Sequence, residues 1–352
     1  MNRAATLTMN RTATLARQAK WLATGLLTLQ AALPAHAAPS AQAATPLSHD
    51  DASVFLQRMS DAARQMAYEG VFVVQQGSSI QTLSISNRPI GTAKDSRLAA
   101  MDGVQREVHC SRSGSISLIT EGGQIKQEKR LNSRHFPDLL PSEANGLANF
   151  YTVKLGESAR VAGLECQQIE LQPKDAFRWG YVLCADKTSG LPLKAVMINE
   201  NNQPLMQYAF AEIQIGNLPK NRPAARVTQT EPPSIPTNTR PIQIETVNIK
   251  HLPPGFSRIS AVKRTLPNKP GEVEHWVFSD GLTHISLFLE PANPPIKSLR
   301  GQSKQGMINL AKRQVGPLQA TVLGDAPWPA IEAITIGLEA RTQTAHALGD
   351  KP

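Results

Sequence analysis

From residue 68 onward the apolar residues recur mostly at every second position, in short runs broken by turn residues. A period of two sends alternate side chains to opposite faces of an extended strand, so this pattern restricts the chain to sheet-based folds. The runs lie at residues 71–74, 80–85, 106–111, 115–119, 124–130, 159–171, 178–185, 193–198 and 205–213. Gln76-Gly77-Ser78, Ser113-Gly114 and Gly122-Gly123 supply turns between them. Connections this short favour antiparallel neighbours, because a parallel pair needs a long crossover. The expectation is an antiparallel meander with helices packed on one face.

Two stretches depart from this period. Phe55, Met59, Ala62 and Met66 fall at i, i+4, i+7 and i+11 behind the capping candidates Ser48 and Asp50, which predicts an amphipathic helix. A short helical piece is expected over residues 139–150, interrupted by Pro141 and Gly146. Residues 217–241 hold six prolines and little apolar content, the composition of a semi-extended linker. Beyond it the strand pattern resumes at 242–249, 274–278, 283–289 and 318–323. Asp280-Gly281 gives a tight hairpin signal, and residues 327–338 are expected to form a closing helix. The domains expected are therefore 48–216 and 242–340, with 217–241 between them and a flexible tail at 341–352.

The N-terminus reads as an export signal. Arg3, Arg11, Arg17 and Lys20 precede an apolar run at residues 21–33, and Ala35-His36-Ala37 places small residues before a cleavage point. Residues 1–37 are accordingly assigned to a signal peptide and the rest to the periplasm. Their loss lowers the net charge from +9 to +5, too diffuse an excess for a nucleic-acid surface.

No nucleophile elbow, phosphate loop, dinucleotide fingerprint, zinc-protease helix or Cys-x-x-Cys pair occurs in the sequence. Asp280, His284 and Ser286 read as polar residues of a solvated hairpin, since a triad requires geometry that spacing does not encode. His275 and His284 lack a third ligand and make a poor zinc site. No catalysis, cofactor or metal is expected. Phe177, Trp179 and Tyr181 alternate on one run, with Phe72, Val74, Tyr208 and Phe210 nearby in the same half. They are candidates for an apolar cleft, although apolar strand faces are more often packed core.

Longer runs carry a resemblance. Leu56-Gln57-Arg58-Met59-Ser60-Asp61-Ala62 with Tyr68-Glu69-Gly70-Val71-Phe72-Val73, Met101-Asp102-Gly103 with Arg106-Glu107-Val108, and Phe136-Pro137-Asp138-Leu139-Leu140-Pro141 resemble the MucB/RseB family. So do Phe177-Arg178-Trp179-Gly180-Tyr181 and Thr188-Ser189-Gly190-Leu191-Pro192-Leu193-Lys194. In the second half Leu252-Pro253-Pro254-Gly255-Phe256, Glu274-His275-Trp276-Val277-Phe278-Ser279-Asp280-Gly281-Leu282 and Ser286-Leu287-Phe288-Leu289-Glu290 continue it.

The resemblance implies a mixed α+β, β-rich fold. Its first part would be a LolA-like half-barrel, a curved antiparallel sheet with helices on one face around a lipid cleft. Its second would be a smaller antiparallel domain with a closing helix. It implies a periplasmic regulator that binds the periplasmic region of a single-span anti-sigma factor of the MucA/RseA type and shields it from its first-cleaving protease. Lipid or lipopolysaccharide would release it, and a homo-oligomer is possible. Trp276, Asp280, Gly281 and Phe288 are the partner-binding candidates. A lipoprotein carrier of the LolA type, sharing only the first domain, is the alternative reading.

Cys166 and Cys184 have no counterpart in that resemblance. If residues 173–175 turn the chain about residue 175, antiparallel partners share an index sum of 350, which sets the two cysteines directly opposite. Both are even-numbered and so share a face, and a disulfide is expected in an oxidising compartment. Cys110 is left over as a buried thiol.

Overall fold

The computed structural model describes residues 44–89, 95–111, 114–121, 124–130, 134–218, 240–242, 245–266, 271–292, 299–302 and 307–341. The expected signal peptide and almost all of the proline-rich linker lie outside these residues.

Two antiparallel sheets dominate. The first contains β1 (Thr45–Pro46), β2 (Tyr68–Gln76), β3 (Ser79–Asn87), β4 (Asp95–Ala100), β5 (Gln105–Ser111), β6 (Gly114–Glu121) and β7 (Gln124–Arg130). It continues with β8 (Tyr151–Val161), β9 (Leu164–Pro173), β10 (Gly180–Asp186), β11 (Pro192–Ile198) and β12 (Pro204–Ile215). Its order is β1-β8-β9-β10-β11-β12-β2-β3-β4-β5-β6-β7, two meanders joined where β12 pairs with β2. Phe210 stands opposite Phe72 there, and Tyr208 opposite Val74.

The second sheet contains β13 (Arg240–Pro241), β15 (Ser257–Thr265), β16 (Glu272–Ser279), β17 (His284–Pro291), β18 (Leu299–Gln302), β19 (Asn309–Val315) and β20 (Leu318–Gly324). The short strands β14 (Val247–Ile249) and β21 (Leu338–Ala340) pair with each other. The run at 242–249, expected as one strand, is thus not continuous. Arg240 and Pro241 join the second sheet at β15, so the expected linker ends before them.

Helix α1 (His49–Gln65) is capped by Ser48, whose hydroxyl accepts from the Asp51 amide at 3.1 Å. Its acidic first turn suits the positive end of the helix dipole. Its buried stripe is Ala52, Leu56, Met59, Ser60, Ala62 and Ala63; Phe55 and Met66 are only half-buried, so the inward face is rotated from the expected one. The piece expected at 139–150 shortens to a 3-10 turn over Ala144–Asn149. Helix α2 (Trp328–Gly337) buries Ala330, Ile331 and Ile334 in the second core with Trp276, Ile285, Leu287 and Val322.

The run at 159–171 is split by a turn, since Ala162 and Gly163 both take positive φ (49° and 82°). A backbone in that region cannot continue a strand. In the next hairpin Tyr181 pairs with Leu171, an index sum of 352 rather than the expected 350. Cys184 therefore opposes Gln168, and Cys166 opposes Asp186. Moving the sum by two preserves parity, so the cysteines still share a face, as diagonal neighbours 5.4 Å apart at Cα, and they are joined by a disulfide. Cys110 is buried as a thiol.

Candidate functional site

One face of the first sheet is apolar from β9 through the joint to β5, where the row that register defines passes on to Ser117 and Glu128 of β6 and β7. Tyr181 and Leu183 stand beside Met197 and Ala195, which stand beside Met206 and Tyr208. Across the joint, Phe72 is followed by Leu83 on β3, and Ile85, Leu98 and Val108 form a row over β3, β4 and β5.

The two halves of this face differ in how they are filled. At the joint Phe136 closes the space: its ring lies 5.1 Å from Phe72, 5.1 Å from Phe210 and 5.4 Å from Tyr208, on which it stacks. Four aromatic rings at such separations form packed core. Four of the cleft candidates, Phe72, Val74, Tyr208 and Phe210, belong to this cluster or pack against it, and Tyr181 is buried further along the same core. Burial pushes the Tyr181 and Tyr151 hydroxyls well above the usual phenol range and holds Tyr208 at about 12.

The open half lies over β3–β6. A cavity of about 650 Å³ is walled by Leu83, Leu98, Ala100, Val108 and Ile119, with Ile80 and Val104 at its rim. Arg106 and His135 are its basic lining residues, and Arg106 donates to the Ser117 hydroxyl at 3.1 Å. A cavity with apolar walls and a few polar groups has the make-up of a small-molecule site. None of its residues was among the cleft candidates. Asp95–Ala100, which supplies Leu98 and Ala100, has no β-branched residue to advertise a strand. A furrow of about 700 Å³ along α1 is shallower and carries Gln57, Arg58, Asp61 and Gln65.

Phe177 and Trp179 lie elsewhere. They precede β10, in a turn where the Asp175 carboxylate accepts from the Phe177 amide at 3.0 Å. Phe177 packs against the second core, and the Trp179 indole donates to the Asp325 carbonyl at 2.8 Å. These two residues join the sheets. They do not line the cavity, because strand alternation begins only at Gly180.

Between them Arg178 is wholly enclosed. Its guanidinium donates to Asp175 at 3.1 Å and to the Pro254 carbonyl, and lies 3.4 Å from the Asp280 carboxylate. The rings of Phe150 and Phe256 cover it at 4.7 and 5.5 Å. Asp280 also accepts from the Leu282 and Thr283 amides at 3.0 and 2.8 Å, which shapes the β16–β17 turn. Gly281 (φ 101°) presents its carbonyl to Arg134, and a Cβ there would stand 3.0 Å from Pro141.

The partner-binding candidates are therefore dispersed. Trp276 is buried in the second core under Arg258, and Asp280 and Gly281 are committed to the joint between the sheets. Phe288 remains half-buried on the opposite face, stacked on His275 at 4.2 Å. Burial and the nearby Arg264 lower His275 to about 4, leaving a neutral ring whose Nε2 lies 3.0 Å from the Ser286 hydroxyl. Asp280, His284 and Ser286 do not act together: Ser286 meets His275, Asp280 meets Arg178, and the His284 amide donates to Asp325 at 2.9 Å. Burial raises Asp325 and lowers His284.

Comparison with known proteins gives a consistent result. Residues 51–236 match the MucB/RseB N-terminal domain and residues 243–339 the MucB/RseB C-terminal domain. The sigma factor AlgU regulatory protein MucB of Pseudomonas aeruginosa is 29% identical over 324 residues, covering 90% of this chain and 96% of that one. The sigma-E factor regulatory protein RseB of Escherichia coli K12 is 25% identical over 321 residues, covering 87% and 93%. A crystal structure described as MucB in complex with MucA(peri) superposes with a TM-score of 0.65 at 27% identity, over 83% of this chain and 99% of that one.

Proposed function

This chain belongs to the MucB/RseB family, and from that premise we propose that it is a periplasmic regulatory binding protein without catalytic activity. It holds the periplasmic region of a single-span anti-sigma factor, shields that region from the first-cleaving protease, and so keeps an envelope-stress sigma factor inactive. The observation that carries this reading is the match across both domains to a protein solved in complex with MucA(peri). A carrier of the LolA type would leave the second domain, matched over residues 243–339, without a role.

The cavity over β3–β6 supports a lipid as the releasing signal. An acyl chain inside it would exchange water for Leu83, Leu98, Val108 and Ile119. Its anionic head would find Arg106 near the rim. Among the partner-binding candidates, Phe288 offers contact area without unpacking a core.

The deciding experiment mixes the chain from Ala38 onward with the periplasmic segment of a single-span anti-sigma factor of the MucA/RseA type. Co-purification and slower cleavage of that segment by the first protease are expected, with lipopolysaccharide reversing both. Failure to retain the segment would sink the proposal. Retention with no change in cleavage would sink the shielding step alone.

A further inference from the structure

The joint between the two sheets holds an incomplete set of polar contacts. Arg178 commits its Nε to Asp175 and its Nη2 to the Pro254 carbonyl. Asp280 commits its Oδ1 to the Leu282 and Thr283 amides. The remaining atoms, Arg178 Nη1 and Asp280 Oδ2, stand 3.4 Å apart, and both side chains are 0% exposed. That separation exceeds the roughly 2.7–2.9 Å of a charge-assisted hydrogen bond. Among the described residues neither atom has a hydrogen-bond partner.

A third buried atom belongs with them. Tyr151 opens β8, is 1% exposed, and its hydroxyl also lacks a partner among the described residues. The guanidinium carbon of Arg178 lies 5.9 Å from the centre of the Tyr151 ring. Burial lifts the pKa of that hydroxyl, Asp280 lifts it further and Arg178 opposes them, so the phenol stands in the field of both charges. Unpaired polar atoms in a closed interior are costly, and native interiors satisfy nearly all of them with protein or ordered water. The unpaired atoms decide what fits. Tyr151 and Arg178 offer donors and Asp280 an acceptor. A cation would meet Arg178 and an anion would meet Asp280, so the site suits a neutral ligand. Water accepts from both donors and donates to the carboxylate, which matches the about three hydrogen bonds usual for a buried water.

We propose that Tyr151, Arg178 and Asp280 form a binding site for internal water at the joint. The water accepts from the Tyr151 hydroxyl and from Arg178 Nη1 and donates to Asp280 Oδ2. Tyr151 and Arg178 come from the first sheet's half, and Asp280 from the β16–β17 turn, so the water is held by both halves at once. It relays the attraction between Arg178 and Asp280 where their direct contact is long, and it brings the Tyr151 hydroxyl into the same network. The site does not depend on which partner the protein holds.

The test uses the chain from Ala38 onward, which contains every described residue, and its Tyr151→Phe variant. The substitution keeps the ring and removes one donor. With water bound, it deletes a hydrogen bond, and the folded-to-unfolded ratio from denaturant titration should fall about fivefold. With the hydroxyl buried and unpaired, its removal relieves a cost, and the ratio should hold or rise; that result overturns the proposal. A crystal structure of the parent, at a resolution that orders solvent, separates a lost water contact from a packing effect. Solvent density within about 3.2 Å of all three atoms is expected. Density that reaches fewer of them, or a direct bond between Arg178 and Asp280 that leaves no room for it, overturns the proposal even if Tyr151→Phe is destabilised.

Discussion

The guanidinium of Arg178 and the carboxylate of Asp280 lie 3.4 Å apart with both side chains fully buried, one from the first sheet's turn and one from the second's. Taking two charges out of water is costly, and removing one partner strands the other. Arg178→Ala or Asp280→Ala should therefore cost about 3–5 kcal/mol, read as a fall in denaturant midpoint. Arg178→Met with Asp280→Leu should cost less than either single change. If the double change proves additive, the pair is not coupled.

Gly255 makes the same joint from the other side. Its φ is 79°, and a Cβ would lie 2.7 Å from the Phe150 ring. Gly255→Ala should destabilise by about 1–3 kcal/mol from backbone strain alone, with the ring clash added. Phe150→Leu should relieve only part of the loss. Thermal unfolding of the two single variants and the double variant measures this.

The disulfide closes a loop across a separation of 18 residues. Cross-linking a loop of that size removes about 3 kcal/mol of unfolded-state freedom. Reductant, or Cys166→Ala with Cys184→Ala, should lower stability by that order. In denaturant without reductant, titration should find one reactive thiol, from Cys110; a count of three would mean the bond is absent.

Acidification should weaken the fold through His275. Its folded value is down at about 4, against about 6.5 for an unperturbed histidine. Between these values the unfolded chain binds the proton and the folded one does not, so stability is full above pH 6.5 and declines as the pH falls toward 4. Burial shifts His284 the same way. His275→Gln should flatten the pH dependence of the unfolding free energy in this window; an unchanged slope would remove His275 as its source.

Period and turn chemistry made much of this fold legible. The β2–β3 hairpin and helix α2 follow from local pattern, as does the place of the β16–β17 turn, although that turn spans Asp280 to Thr283 where Asp280-Gly281 predicts two residues. The disulfide shows how far such reasoning reaches. The turn at 173–175 does not specify register to a single residue, yet parity survives a shift of two, and parity decides which cysteines share a face. Long-range partners left no local trace. Nothing near Phe136 announces that it will fill the joint between Phe72 and Phe210, and nothing near Arg178 announces Asp280. The cavity escaped for a related reason: it forms where no bulky side chain of the described residues arrives, and its strand β4 reads as Asp-Ser-Arg-Leu-Ala-Ala.

The pairing of β12 with β2 governs the timing of folding. Tyr68 finds its partner Ile215 only after the whole intervening chain is present. Until then β2, with Val71, Phe72 and Val73, is an open edge able to pair with any extended chain nearby. Such distant closure is slow, and the waiting species is prone to aggregate. Folding yield should therefore depend on holding the first meander soluble until the second arrives, a demand that ends once the folded sheet is complete.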